Sequence, residues 1–188
     1  MDAPGPPAAS GIDSPSSAPS RRRSLTRTLC KEILPPLLIA TVLTAIGALS
    51  IHVQQPLLVP SLGSAIFLQT MTPEAPSARG WNTGMGQLIG AAAGFAAVFL
   101  LSAAWTPQFM GNNPLTIPRI AAAVAAVIAT SVLQRILRAT SAAGGATALV
   151  VALGAETATA DGAARLVAGI LLVTLLGEAA RWLVLRTR

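Results

Sequence analysis

The chain is poor in what a soluble catalyst draws on. Of its 188 residues none is tyrosine, one is cysteine, one is histidine, and only 11% are charged, against about 25% in an ordinary soluble domain. The single cysteine, Cys30, excludes an intrachain disulfide and leaves the redox compartment unread; it reads as a small buried or interfacial side chain. The apolar stretches hold no paired carboxylates, no cluster of His and Cys, no nucleophile elbow and no phosphate-binding loop, so neither an enzyme nor a cofactor is expected. What fills the chain instead is apolar: 53% of residues are hydrophobic and the mean hydropathy is +0.64. That composition belongs to an integral membrane protein, whose first partner is the lipid bilayer. The net charge of +6 does not point to nucleic acid, because the lysines and arginines sit at the ends of apolar stretches, where topology signals belong.

Two apolar segments are too short to be ordinary spans. Pro60 to Met71 rises only about 18 Å as a helix, whereas a hydrocarbon core needs about 30 Å and roughly 20 residues. Ser141 to Gly154 is of the same kind. Paired short segments in corresponding places point to a transporter-like site at the membrane midplane, with the amide-bearing tips of both facing a common spot. Around them the pattern predicts four long helices: Leu34 to Ile51 with Pro35 and Pro36 in its first turn, Asn82 to Trp105, Arg119 to Leu137, and Ala163 to Leu185. The fold class is thus an all-α membrane protein, four transmembrane helices plus two short half-helices in an internally duplicated arrangement. Its transmembrane domain covers residues 33–188, with repeat halves of about 34–105 and 116–186.

Residues 1–32 read as a disordered Pro/Ser/Ala-rich tail ending in a basic juxtamembrane cluster. A secretory leader cleaved near Ala48-Leu49-Ser50 and an organellar transit peptide are the rival readings of this end. Four crossings place both termini on one side. With that side cytoplasmic, nine of the 13 basic residues, Arg119 among them, fall inside, and Arg79, Arg135, Arg138 and Arg165 fall outside, which favours N-in and C-in. The membrane expected is the plasma (inner) membrane, an organellar membrane being the alternative. Trp81, Trp105 and Trp182 fall at helix ends, as an aromatic belt requires. His52, at the end of the first helix, reads as an interfacial polar residue. Glu178 and Arg181, three apart, read as a local ion pair.

Gly86, Gly90 and Gly94 recur every four residues and form a bare packing stripe; Ala121, Ala125 and Ala129 form a second. Four short spans enclose little interior, so a homo-oligomer is a further expected partner.

The short segments align at an offset of 82 residues, Gly63-Ser64-Ala65-Ile66-Phe67-Leu68 on Gly145-Ala146-Thr147-Ala148-Leu149-Val150. If they are re-entrant, each half has two crossings and the halves are parallel; if they cross, each half has three and the repeat is inverted. The runs P-S-L-G-S-A-I-F-L (Pro60 to Leu68), N-T-G-M-G-Q-L-I-G (Asn82 to Gly90) and G-A-T-A-L (Gly145 to Leu149) resemble the HPP family of four-helix membrane proteins over roughly Leu34 to Arg188. The His-Pro-Pro tripeptide that names the family is replaced here by Ser141, Ala142 and Ala143; Trp81 and Gln87 stand at a family arginine and histidine. Some members of that family are linked to nitrite transport, so the resemblance implies a small inorganic anion as a partner.

The residues make a parallel argument. A helix starting inside the membrane presents unpaired N–H groups and the positive end of its dipole, which suits an anion. The candidate substrate-binding residues are Gly63, Gly144 and Gly145 for close backbone approach, Ser61, Ser64, Ser141 and Thr147 for hydroxyls, and Asn82 and Gln87 beside them. The second expectation is a membrane scaffold or regulatory subunit with no flux, associating through its glycine stripes.

Overall fold

The computed structural model describes residues 19–54, 60–109 and 113–187, with side chains from Glu32 onward, Pro60 excepted. The readings of residues 1–18 and of the Cys30 side chain lie outside that description. Six helices follow in order: α1 (Pro19–Val53), α2 (Pro60–Met71), α3 (Gly80–Leu100), α4 (Ile117–Ile136), α5 (Ala142–Ala152) and α6 (Ala160–Thr187). Single turns of 3-10 helix at Pro76–Ala78 and Ala103–Trp105 flank α3. Four helices are long and apolar enough to cross a membrane: Glu32–Val53 within α1, together with α3, α4 and α6. The expected pattern of four long and two short helices stands.

Two local expectations are corrected. α1 begins at Pro19, inside the stretch read as tail, so Pro35 and Pro36 lie within the helix rather than in its first turn. Residues 20–34 are mostly Arg, Leu, Thr and Lys with no glycine, and such residues propagate a helix once a proline has fixed its first turn. The second correction concerns the alanine stripe. Ala121 is exposed and Ala125 and Ala129 are only half-buried; the face that packs is Ala122, Ala123, Ala126 and Thr130. The small-residue periodicity was legible, but in an alanine-rich helix it does not fix which face turns inward.

Helix directions follow from paired contacts. The Gly80 N–H donates to Glu178 Oε2 at 2.8 Å, and Gly84, one turn on, faces Thr174, one turn back; α3 and α6 are antiparallel. Gly86 meets Ser141, Gly90 meets Gly144, and Gly94 meets Ala148 and Val151, so α5 runs parallel to α3. α4 is antiparallel to both: Gln134, in its last turn, bonds Gly86 and Ser141, and Arg119, in its first, bonds Ala152. Gln69 packs on Gly177 and the Pro73 carbonyl accepts from Arg181 Nε at 2.6 Å, which makes α2 parallel to α6.

These directions choose between the two repeats that the sequence leaves open. α1 packs on α2 and α6 as α4 packs on α5 and α3, and α2 packs on α6 as α5 packs on α3. The paired helices α3 and α6, and likewise α2 and α5, run in opposite senses. The repeat is therefore inverted, its axis in the membrane plane. Both short helices run from one end of the bundle toward the other, α5 from beside Gln134 to beside Arg119 along nearly the whole of α4. One face of the bundle consequently carries the start of α1, the 72–79 and 137–141 turns and the end of α6. The opposite face carries the end of α1, the start of α2, residues 101–109 and 113–116, and the 153–159 connection.

Packing is closest where backbone meets backbone. The glycine stripe of α3 lies against α5, and a Cβ on Gly90 would drive into the Gly144 carbonyl. One apolar core joins Val42 and Ile46 of α1 to Leu62 and Ile66 of α2 and to Leu166, Ile170 and Val173 of α6. A second, made largely of alanine, joins α3, α4 and α5. Trp81 and Trp182 mark one face of the bundle and Trp105 the other, all exposed, as interfacial belts require. His52 is exposed in the last turn of α1.

Candidate functional site

The most unusual feature of the interior is a set of buried, unpartnered amide and hydroxyl groups on α2, α3, α5 and α6, spread over the first two turns of α3. On α3, Gln87 is fully buried and neither its amide N nor its amide O has a hydrogen-bond partner. On α2, Gln69 is in the same condition where it packs against Gly177 of α6. Between them Thr174 of α6, whose methyl fills the notch at Gly84, holds a buried Oγ1 with no partner. Ser141, the N-cap of α5, lies against Gly86 and its Oγ is buried and unpartnered as well. An unpaired buried amide or hydroxyl costs roughly 1–3 kcal/mol, so a set of four such side chains is a standing cost to the fold. Such concentrations of unmet polarity belong to functional sites.

The neighbouring Gln134 of α4 shows what a purely structural glutamine does. Its Nε2 donates to the Gly86 carbonyl at 3.2 Å and to the Ser141 carbonyl at 3.1 Å, and its Oε1 accepts from the Ser141 N–H at 3.1 Å. It ties together α3, α4 and the start of α5.

Of the residues singled out from sequence, Gln87, Ser141 and Gly144 belong to this region. Gly144 is there for packing: a Cβ on it would strike both Gln134 and the Gly86 carbonyl. Thr147 is buried and turned back on its own helix, donating to the Ala143 carbonyl at 3.0 Å. Ser61 is buried at the start of α2 with its Oγ unpartnered. Ser64 donates to the Ser61 carbonyl at 2.6 Å. Gly63 and Gly145 have nothing within 4 Å of where a Cβ would stand. Gly63 and Ser64 border an apolar groove of about 640 Å³ with Phe67, Leu68 and Ala142, Ala143 and Ala146. Because α2 and α5 cross in opposite senses, their amide-bearing tips do not face one spot; the start of α5 lies beside Phe67 and Leu68, late in α2. Asn82 sits at the face of the bundle, donating to the Pro76 carbonyl at 2.7 Å. There, with Ser77, Arg135, Arg138 and Thr140, it lines a cavity of about 530 Å³.

Sequence reasoning missed Gln69, Gln134 and Thr174. The signal for Gln69 was present, since it is the one amide in a twelve-residue helix whose other polar side chains are two serines and a threonine. Arg119 was misread. It is not a solvated topology marker but a buried residue, its Nη1 donating to the Ala152 carbonyl and its Nη2 to the Thr106 carbonyl, both at 3.1 Å. The charge pair expected on α6 is present: Arg181 Nη1 meets Glu178 Oε1 at 2.6 Å. In the 153–159 connection, burial pushes the Glu156 carboxyl above the usual carboxylate range, and Arg165 at 3.9 Å pulls it back by less.

No curated protein and no solved structure matches the chain. A family model described as "HPP, transmembrane region" matches residues 24–187, from the second turn of α1 to the end of α6 and across every one of these polar residues. The chain belongs to the HPP transmembrane family.

Proposed function

We propose that this membrane protein is a carrier for small monovalent oxyanions, nitrite among them. The observation that carries the reading is the pair of fully buried, unpartnered amides, Gln69 and Gln87, together with the unpartnered hydroxyls of Ser141 and Thr174 in the same half of the bundle. Neutral amides and hydroxyls hold a monoanion by donating hydrogen bonds, without a fixed countercharge to trap it. Binding of that kind is weak and reversible, as a carrier needs. The cavity bordered by Arg135, Arg138 and Asn82 lies at the same end of the bundle and offers an anion a positive approach. An inverted repeat with polar groups at its interface is also the arrangement on which alternating access is commonly built.

Orientation follows the charges. With both short helices crossing, Arg119 and Arg165 are the two of the 13 basic residues on the 101–116 and 153–159 side. The other eleven share the side of both termini, a stronger bias than four crossings give. This supports cytoplasmic termini in a plasma (inner) membrane.

A non-transporting scaffold or regulatory subunit relied on the glycine stripe as an association surface. In the structure that stripe lies against α5 of the same chain. Nitrite uptake into proteoliposomes tests the carrier reading. Wild-type protein is expected to exceed empty vesicles, and Gln69→Leu and Gln87→Leu to fall at least about tenfold, the loss of one hydrogen bond to a charged ligand. Uptake equal to that of empty vesicles contradicts the reading.

A further inference from the structure

At the opposite face the first turn of α4 presents a second set of unmet donors, around a charge. Arg119 is 4% exposed, and among the described residues it forms no ion pair. A guanidinium has five N–H groups. Two of them go to the Ala152 and Thr106 carbonyls, and Nε has no partner. Thr116, three residues earlier and so on the same face of the helix, is the N-cap, yet its Oγ1 makes no capping bond and is buried without a partner. Pro118 stands between them and has no N–H of its own. The helix start adds the positive end of its dipole. Gly154, at φ +85°, lies against one side of the guanidinium; a Cβ there would come within 2.9 Å of Cζ and 3.0 Å of Nη1. The nearest acidic residue along this connection, Glu156, pairs with Arg165 instead. A buried cation without a countercharge is costly, and in a membrane bundle such residues mark ion sites.

We propose that Arg119 Nε, Thr116 Oγ1 and the start of α4 form a binding site for a small oxyanion, distinct from the polar groups near Gln87. Nε and the guanidinium N–H groups that bond neither carbonyl can donate to two oxygens of a planar anion of the nitrite or nitrate kind, and the Thr116 hydroxyl, three residues earlier, offers a further donor. The choice of anion rests on the carrier reading; the existence of the site does not.

Equilibrium binding separates the two. Sodium nitrate is titrated onto purified full-length protein in detergent at constant ionic strength, with gluconate as the balancing anion, and melting temperature and heat of binding are followed. Wild type is expected to give a saturable rise in Tm. Thr116→Val, which removes a hydroxyl that holds no other bond, should fold with a Tm in gluconate equal to or above that of the wild type and bind nitrate about tenfold more weakly. Arg119→Lys, which keeps the charge but loses the fork, should bind more weakly still. In Gln69→Leu the component of nitrate binding that Thr116→Val weakens should persist, because Gln69 belongs to the other set of donors. No saturable effect in the wild type, or a Thr116→Val protein that titrates like it, overturns the site. Binding that persists in a protein showing no flux overturns the carrier reading alone.

Discussion

The two short helices occupy equivalent places in an inverted repeat and are held in opposite ways. α5 is locked: its glycines touch the glycine stripe of α3, and Gln134 bonds both Gly86 and the turn that starts it. α2 is held by apolar packing against α1 and α6, and the glutamine it brings to the interior, Gln69, bonds nothing. The arginines that close their C-terminal ends differ too. Arg181, which holds the turn after α2, is neutralised by Glu178; Arg119, which caps α5, has no carboxylate. The two halves share one arrangement and differ in where the short helix leaves polarity unmet: on α2 itself at Gln69, and at Arg119 against the end of α5.

The largest expected effect breaks the locked half. Gly90→Ala places a Cβ in the Gly144 carbonyl, where backbone faces backbone and nothing can yield, and should cost at least about 3 kcal/mol in detergent melts. Gly63→Ala and Gly145→Ala meet open space and should be neutral or gain up to about 1 kcal/mol through helix propensity. Equal losses at Gly90 and Gly63 would erase the contrast.

The glutamines sharpen it. Gln134→Leu leaves the Ser141 N–H without a partner and removes a second bond from the Gly86 and Ser141 carbonyls and is expected to cost about 1–3 kcal/mol. Gln69→Leu and Gln87→Leu remove amides that bond nothing and should stabilise by about 1 kcal/mol while lowering nitrite uptake. The opposite signs, read from thermal melts beside flux, separate a structural glutamine from a working one. A smaller effect is expected at the paired arginine: Glu178→Gln weakens both the Arg181 pair and the Gly80 N–H bond for about 1 kcal/mol, since the pair is partly in water.

The smallest effect concerns pH. Because burial raises the Glu156 pKa, the folded state holds that proton more tightly than the unfolded one. Stability is therefore greatest below the unfolded carboxylate's pKa and declines as pH rises through the folded one. Glu156→Gln should flatten that decline, bringing melts at acid and neutral pH closer together than in the wild type.

Much of the fold was legible because lipid imposes long apolar runs, and the short α2 and α5 stood out by length alone. The 82-residue offset survives as the spacing between Pro60 and Ala142, where the two short helices begin. Direction was not legible. Gly80 beside Glu178 and Gly86 beside Ser141 are contacts between distant parts of the chain, and periodicity within one helix carries no trace of them. The same holds for the site. Gln87 and Ser141 were picked out by place in a motif, but what matters is that no protein group bonds their side chains, and that depends on how α2, α3, α5 and α6 meet. Arg119 looked like any basic residue at a helix start, and only the carbonyls of Ala152 and Thr106 show that it is enclosed.

The inverted arrangement on which this account stands is tested by which side of the membrane two exposed positions face. In a Cys30→Ser background, Arg79→Cys reports the turn before α3 and Ala160→Cys the start of α6, each labelled with an impermeant maleimide in sealed vesicles. Labelling from opposite sides is the result predicted, because α2 and α5 both cross. Labelling of both positions from the same side would mean that the short helices turn back, and would contradict the inverted repeat and the site built on it.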